Sequence, residues 1–511
     1  MAILKMFVLV FTMMTSFPIV IGQQVPGSRV IVTKEIIDKI NDWEIARLRE
    51  DLLKANINEI RDDKGHTTWK IFRIRLNSVG SLTAHVTLGT GSFTWRASLS
   101  NIKLSADWLY RHDDGWLLSF GDDGSLGASV GMASISINVR PKVSNGLQVE
   151  LDDCSAHISS LDVRVHGSLL SWIYDIIIPE FEEEIQRLLE KELCKAAKTS
   201  MSKVKEKLTN LKTTGRVHVF HTDFLVDYNI LKVEVTPQHI ATYHGLSVSQ
   251  GSRSLYVTEE VFSKARLTSG VCVELNGYVF NNILKLATEL YILKFVFDYK
   301  QVIANKNKKN AYLSCDESLS SICIGTFLPE AKSRWPKRVA GLRLLATSAK
   351  LEFASGSVSL RLAGRLSFTA EDATHVDTMF SAAVNVTVPI QVKFEDGNLS
   401  PRIANISGDV TIDQSHIGKV MTPVLKHFYD VSPQIIIQAL VKYLNDYTVS
   451  FPIELPRDVQ FKTSYVILYS TGIGIEADLC EKGTSGCSYT ARSSWVGDHL
   501  DGKLTITDTI E

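Results

Sequence analysis

The stretch VTKEIIDK at residues 32–39 recurs as VTEEVFSK at residues 257–264, half a chain away. In each copy a threonine precedes apolar residues at helical spacing, a pattern typical of a capped amphipathic helix. We therefore predict helices that begin after Thr33 and Thr258. Because the recurrence separates two stretches of similar length, it indicates an internal repeat in which both halves share one plan.

The rest of each half supports this plan. Apolar residues alternate with polar ones from Trp69 to about His166, which predicts a curved antiparallel sheet. A long helix follows, with Ile173, Ile177 and Phe181 on its apolar stripe. The second half repeats the order, with strands over about 343–410, a long helix over 417–444 and a closing strand over 461–469. The predicted fold class is α+β, with two domains.

Domain boundaries follow from composition. The Gly- and Ser-rich stretch 245–252 shows no period and is predicted to be a linker. We predict a first domain over 23–245, a linker over 246–255, a second domain over 256–487 and a C-terminal tail over 488–511. The Lys- and Asn-containing region 276–310 receives no assignment.

The N-terminus has the pattern of a secretory signal peptide. Lys5 precedes an apolar run that ends near the small residue Gly22, so we predict removal of residues 1–22. A membrane anchor is the weaker alternative, because the run is shorter than the ~18–20 residues of a spanning helix and Pro18 interrupts it. The sequence thus predicts a secreted, extracellular protein.

Seven cysteines fit an oxidising compartment but leave one unpaired. Cys315 and Cys323, and likewise Cys480 and Cys487, are close enough in sequence to staple loops, although their pairing stays open. Cys154 and Cys194 would close a loop of about 40 residues, worth roughly 3–4 kcal/mol in the chain-entropy model. Cys272 is the expected odd thiol. Glycosylation sequons occur at Asn385, Asn398 and Asn405, with Pro401 disfavouring the second.

Composition excludes several classes of protein. The 511 residues are 45% hydrophobic and 22% charged, with 55 Lys and Arg against 56 Asp and Glu. This is globular composition, not that of a disordered or collagen-like chain. Near-zero net charge also argues against a protein held mainly to nucleic acid or to anionic membranes by long-range electrostatics, although it leaves room for a local basic patch.

Enzyme and metal motifs are weak. Gly127-Ala128-Ser129-Val130-Gly131 matches G-x-S-x-G, but a nucleophile elbow joins a strand to a helix, and this stretch continues into strand-like sequence. A lipase built on Ser129 is therefore a distant third hypothesis. Cysteine spacing gives no zinc ribbon, and histidine spacing gives no ligand set. We expect no catalytic residue, no metal and no cofactor.

Three motifs carry a resemblance to a known family. From the N-terminus onward they are the block 154–160 (CSAHISS), Gly325–Glu330 (GTFLPE) and the block 451–456 (FPIELP). In this order, along nearly the whole mature chain, they resemble the bactericidal/permeability-increasing protein, lipopolysaccharide-binding protein and plasma lipid-transfer protein family. The resemblance implies a disulfide between Cys154 and Cys194. It also implies an elongated boomerang in which two barrels, each wrapping a long helix, are joined by a central sheet.

The resemblance further implies an apolar pocket in each half for the acyl chains of a phospholipid. A curved sheet with a helix in its mouth suits such chains. Candidate lining residues in the first half are Ile36, Ile40, Ile173, Ile177, Phe181 and Phe224. The alternative is that these side chains pack a dry core.

The leading hypothesis is a secreted, non-enzymatic lipid-binding and lipid-transfer protein. Its partners would be phospholipid or another amphipathic lipid and, transiently, membranes or lipid particles. It would be a monomer and bind no nucleic acid.

The alternative function is innate-immune recognition of lipopolysaccharide on Gram-negative bacteria. Family members meet that ligand with a cationic tip on the first barrel, but residues 23–255 contain 28 Lys and Arg against 29 Asp and Glu. A smaller tip patch for lipid headgroups is predicted from tryptophans, whose rings suit a lipid–water interface, and arginines. Its residues are Trp95, Arg96, Trp108, Arg111 and Trp116. Scattered, solvated charges on a barrel rim are the competing interpretation.

Overall fold

The computed structural model describes residues 25–53, 59–64, 66–113, 119–144, 146–166, 214–219, 222–258, 262, 270–297, 313–314, 324–326, 328–395, 398–403, 407–418, 451–452, 459–484, 487, 490–491 and 504–508. Individual helical positions between 182 and 208 are also described. These residues form three sheets and few helices, which confirms the α+β class.

One sheet belongs to the first half and contains seven strands. The order is β2-β3-β5-β6-β7, with β4 beside β5 and β8 beside β6, and all described pairings are antiparallel. The strands are β2 (Ile60–Lys64), β3 (Thr67–Ser78), β4 (Leu82–Leu88), β5 (Phe93–Asp113), β6 (Ser119–Val143), β7 (Leu147–Ile158) and β8 (Leu161–His166). This agrees with the period of two predicted from Trp69 to His166.

A second sheet belongs to the second half. Its order is β14-β15-β16-β17-β18-β20, with β19 beside β17 and β24 parallel to β19. The strands are β14 (Lys294–Phe297), β15 (Val339–Ala354), β16 (Ser357–Glu371), β17 (Val376–Glu395), β18 (Asn398–Ile403), β19 (Ser407–Ser415), β20 (Phe451–Pro452) and β24 (Leu504–Asp508). The strands predicted over about 343–410 are confirmed, whereas the helix predicted over 417–444 lies almost wholly outside the described residues.

The third sheet combines strands from both halves. Its order is β23-β21-β22-β13-β1-β11-β10-β9, with β12 beside β11. The strands are β1 (Pro26–Thr33), β9 (Thr214–Val219), β10 (Thr222–Val235), β11 (His239–Gln250), β12 (Arg253–Tyr256), β13 (Val271–Asn276), β21 (Val459–Tyr469), β22 (Gly472–Glu481) and β23 (Thr490–Ala491). We call it the central sheet. The closing strand predicted over 461–469 is β21.

Each half contains a strand that leads into a helix, but the second of these helices does not lie where the sequence predicts it. Strand β1 leads into helix α1 (Lys34–Leu53), and its antiparallel neighbour β13 leads into helix α2 (Gly277–Glu289). Asn276 caps α2, because its side-chain oxygen accepts a hydrogen bond from the backbone N–H of Tyr278 at 3.0 Å. A third helix, α3, is short (Pro329–Arg334) and follows a 3₁₀ turn at Ile324–Thr326.

The predicted second helix is therefore corrected. Thr258 and Phe262 are described and are not helical, and most other residues of that stretch lie outside the described residues. The helix of the second half instead begins at Gly277, inside the region 276–310 that sequence left unassigned. Thr33 does precede α1, and its hydroxyl donates to the backbone oxygen of Gly270 at 2.9 Å.

The predicted linker over 246–255 is wrong. Residues up to Gln250 belong to β11 and residues 253–256 form β12, which pairs back onto β11. Leu246, Ser247 and Val248 are all buried, so this part of β11 is covered on both faces and its burial shows no period of two. Residues 246–250 and 253–256 therefore belong to the central sheet.

Two disulfides occur among the described residues. Cys154 of β7 is joined to Cys194, at a helical position, and Cys480 of β22 is joined to Cys487. Cys315 and Cys323 lie outside the described residues. Within the described part of the chain, no helix combines the length and the apolar character required to cross a bilayer.

Candidate functional site

The sheet of the second half has one apolar face. Side chains at alternate positions of β16 lie on this face, where Leu360 is opposite Val388 of β17 and Leu362 is opposite Val386. On the β15 side, Leu351 is opposite Leu360. Since successive side chains of a strand point to opposite faces, a three-strand band of aliphatic side chains covers one side of the sheet.

The other face of the same strands is polar. Arg361 forms an ion pair with Glu352 at 2.8 Å, and Arg365 forms one with Asp413 at 3.0 Å. These arginines alternate with the leucines of the apolar face. The sheet therefore separates a charged side from an aliphatic side, as a wall between water and an apolar interior does.

Several large side chains on the apolar face are only half-buried, although they cluster with fully buried ones. A site for hydrocarbon chains requires such an apolar face that protein does not fully cover. We call these residues the second inner face, which consists of Leu344, Leu351, Leu362, Leu366, Ile390 and Val410.

The first half has the corresponding surface. Buried residues such as Trp69, Ile71 and Leu126 pack beside half-buried neighbours, and β5 supplies part of both groups. We call the half-buried set the first inner face, which consists of Leu76, Leu99, Leu104, Trp108, Tyr110, Leu161, Val165 and Leu189. Leu189, at a helical position, packs on this face, whereas Ala197, Met201 and Leu208 of the same helical region pack in the large cluster around α1.

The predicted pocket residues occupy two different places. Ile36 and Ile40 of α1 are 0% exposed and pack in the large cluster that contains Val86 and Ile475. Phe224 of β10 is also 0% exposed but belongs to a separate cluster with Ile283 of α2. These three side chains pack the core around the helices, which is the alternative that the sequence left open. Ile173, Ile177 and Phe181 lie outside the described residues, and their role stays a prediction.

The predicted tip is not one surface. Trp95 is buried, and its indole N–H donates to the side-chain oxygen of Asn41 at 3.1 Å. Trp108 stands 13 residues further along β5, about 40 Å away at the rise of a strand. The prediction that Trp95 meets lipid headgroups is therefore wrong. Its spacing of two residues from Phe93 and Ala97, which are also buried, is the signal that places it on the inner face. Trp116 lies outside the described residues.

Charges near the β5–β6 hairpin are mixed. Arg111 is exposed and Trp108 is half-buried, while Arg96 is exposed near the other end of β5. Arg73 pairs with Asp107 at 2.6 Å, and Lys70 pairs with Glu59 at 2.6 Å. Because these cations already have acidic partners, the described part of the hairpin forms no strongly cationic patch.

Other sequence candidates occupy ordinary structural positions. Ser129 lies within β6 and not at a strand-to-helix turn. Burial raises the pKa of the Cys272 thiol to about 12, with Glu274 and Glu476 contributing in the same direction, so it stays protonated at neutral pH. Asn385 is exposed on the polar face of β17 and Asn398 lies in β18, while Asn405 is outside the described residues. No cluster of metal-binding side chains occurs within the described ranges.

Comparison with known proteins gives consistent matches. The sequence model described as "LBP / BPI / CETP family, N-terminal domain" matches residues 38–211, and that for the C-terminal domain matches residues 266–480. Bactericidal permeability-increasing protein from Rattus norvegicus is 21% identical over 476 residues, which cover 89% of this chain and 93% of that protein. Lipopolysaccharide-binding protein from Bos taurus is 24% identical over 215 residues, covering 39% and 42% respectively. A crystal structure of lipopolysaccharide-binding protein aligns with a TM-score of 0.48 and 15% identity, covering 89% of this chain and 99% of that one.

Proposed function

Because the chain belongs to the LBP / BPI / CETP family, whose members bind and transfer lipids, we propose that it is a secreted, non-enzymatic carrier of phospholipid. The acyl chains would lie against the two inner faces, with the headgroup toward solvent. The single observation that carries this proposal is the half-buried aliphatic band on β15, β16 and β17, because such a surface has no polar group with which to select a water-soluble ligand.

The free energies of transferring acyl chains favour exchange of lipid over its permanent storage. Burying about 30 methylenes at ~0.8 kcal/mol each contributes more than ~20 kcal/mol of gross transfer free energy, so the tails need no charged contact. The same tails are already buried in a bilayer, so the net change on transfer between bilayer and protein is small. A monomer that contacts membranes or lipid particles transiently would therefore suffice.

Secretion is part of the proposal. It is supported by the leader pattern at residues 1–22, by the two disulfides among the described residues and by the extracellular relatives. Retention of the chain inside cells that express the full sequence would contradict it.

A fluorescence assay of phospholipid movement from donor to acceptor vesicles tests the carrier function. We expect the protein to accelerate transfer, and Leu362→Gln on the second inner face to slow it. Arg361→Gln is the matched control, since it places the same side chain one residue away on the polar face. No acceleration by the wild-type protein, or equal rates for the two variants, would contradict the proposal.

A second candidate is lipopolysaccharide recognition, favoured by the names of the two matched relatives. The paired charges near the β5–β6 hairpin argue against a cationic site there. Lipopolysaccharide binding that falls steeply with added salt would support this candidate, because such dependence reports cationic contacts. Binding of phospholipid without lipopolysaccharide would exclude it.

A further inference from the structure

One side of helix α2 is exposed to solvent beside strand β12. Tyr278 is 38% exposed and Tyr256 of β12 is 43% exposed. They are neighbours, because the side chain of Asn282, one turn after Tyr278, donates to the backbone oxygen of Tyr256 at 3.1 Å. At the other end of the helix, Arg253 of β12 pairs with Glu289 at 3.2 Å. The strand therefore lies along the exposed side of the helix.

A third tyrosine extends this surface. Tyr291 follows the helix and is 67% exposed, the highest value among the large exposed apolar residues described. Its φ angle of 54° lies in the left-handed region, which bulky residues rarely adopt. The backbone there is fixed by hydrogen bonds from the N–H of Tyr291 to Thr288 and of Ile292 to Ala287. An aromatic ring is thus held outward at a position where glycine would be usual.

Among the described residues of this surface, positive charges outnumber negative ones. Over residues 253–258 and 277–294, both described, the charged side chains are Arg253, Lys285 and Lys294 against Glu289, and all four are exposed. Tyrosines beside lysine and arginine are the residues that occupy the interface of a bilayer with water, and an anionic leaflet attracts the cations. Opposite charge thus favours an anionic lipid surface as the occupant.

Other side chains of α2 contact the second inner face and strand β15. Leu284 packs with Leu351 and Leu362 of that face. Asn281 fixes the helix to β15, donating to the backbone oxygen of Leu351 at 3.1 Å and accepting from its N–H at 2.6 Å. One helix therefore separates the exposed tyrosines from half-buried aliphatic side chains.

We propose that α2, β12 and Tyr291 form a docking surface for anionic phospholipid bilayers, placed where acyl chains can pass to the second inner face. This inference rests on the proposed carrier function. Docking through tyrosines and cations would orient the protein with α2 against the headgroups and with the second inner face beyond the helix.

Flotation of the full chain with vesicles tests the proposal. Vesicles of phosphatidylcholine alone are compared with vesicles that also contain phosphatidylserine. One variant combines Tyr256→Ser, Tyr278→Ser and Tyr291→Ser, and a second combines Arg253→Gln, Lys285→Gln and Lys294→Gln. The control, Met132→Ser with Val376→Ser, removes two apolar side chains of similar exposure, 50% and 49%, from other surfaces. Thermal unfolding checks that each variant folds.

We expect the tyrosine variant to lose vesicle binding and the charge variant to bind anionic vesicles about fivefold more weakly per cation removed, while the control binds like wild type. Wild-type binding that both surface variants retain would overturn the proposal. So would the absence of wild-type binding to either vesicle, which would point to a protein partner for this surface. Phospholipid extracted from the same preparations is measured separately: its absence from the wild type refutes the carrier function, whereas its presence in a variant that no longer floats supports docking.

Discussion

Trp95 of β5 donates its indole N–H to the side-chain oxygen of Asn41 on α1, while the amide of Asn41 donates to the backbone oxygen of Ala84 at 2.9 Å. Asn41 is buried, so one polar side chain ties the first helix to two neighbouring strands of the first sheet. This contact fixes how α1 sits between the first sheet and the central sheet.

Asn41→Ala is therefore expected to destabilise the protein by about 2–4 kcal/mol, because it leaves a buried donor on Trp95 and a buried acceptor on Ala84 without partners. Urea unfolding measures the change. The control is Asp42→Ala, which changes the exposed neighbour on the same helix. Equal unfolding free energies for the two variants would show that the contact contributes little.

Asp227 of β10 is expected to make the stability of the folded protein depend on pH. Burial raises its pKa to about 6, and its Oδ1 has no hydrogen-bond partner among the described residues. The folded state thus binds the proton more tightly than the unfolded state, whose carboxyl has its ordinary pKa near 3.8. This group therefore reduces stability as pH rises from about 4 to 6.

Asp227→Asn should consequently stabilise the protein at pH 7 and have little effect at pH 4. We expect a gain of about 1 kcal/mol, because solvent partly screens the half-buried carboxylate. Unfolding free energies of both proteins across this pH range test the idea. A difference that does not change with pH would contradict it.

Leu362→Trp probes whether the second inner face borders open space. If it does, the larger ring fills room that lipid would use, so bound phospholipid falls while the melting temperature changes little. If the interior is solid, overpacking costs about 1–3 kcal/mol. Arg361→Trp on the polar face controls for the added ring, and lipid content with calorimetry gives both readouts.

Asn385 belongs to a sequon, and its side chain is exposed on the polar face of β17, opposite the inner face. We expect a glycan there when the chain is secreted from eukaryotic cells. Mass spectrometry before and after enzymatic deglycosylation, with Asn385→Gln as the comparison, tests this. An unchanged mass of the peptide that contains Asn385 would refute it.

Much of the fold follows from local pattern. The sheets of both halves are readable because alternate residues, such as Leu360 and Leu362, face the interior. Helix α2 has Val279, Phe280, Ile283 and Leu286 at helical spacing, but the match at 257–264 predicts the second helix at a different place. The serines of β11 favour a linker in the sequence, although they lie in a largely buried strand.

The site was harder to predict, because it depends on contacts between distant residues. The antiparallel pairing of Val30 with Val273 joins strands that are far apart in sequence, and no local pattern shows it. The chemistry of its ring alone predicts a lipid interface for Trp95, whereas its position on the apolar side of β5 decides its environment. The tyrosines of α2 and β12 become one surface only when the strand lies beside the helix.

Quantitative mass spectrometry of lipid extracted from the purified, full-length secreted protein determines whether the protein carries phospholipid. The proposed function predicts phospholipid in near-stoichiometric amount, reduced in Leu362→Trp and unchanged in Arg361→Trp. A wild-type protein that is folded, yields no lipid and takes up none from vesicles would contradict the account.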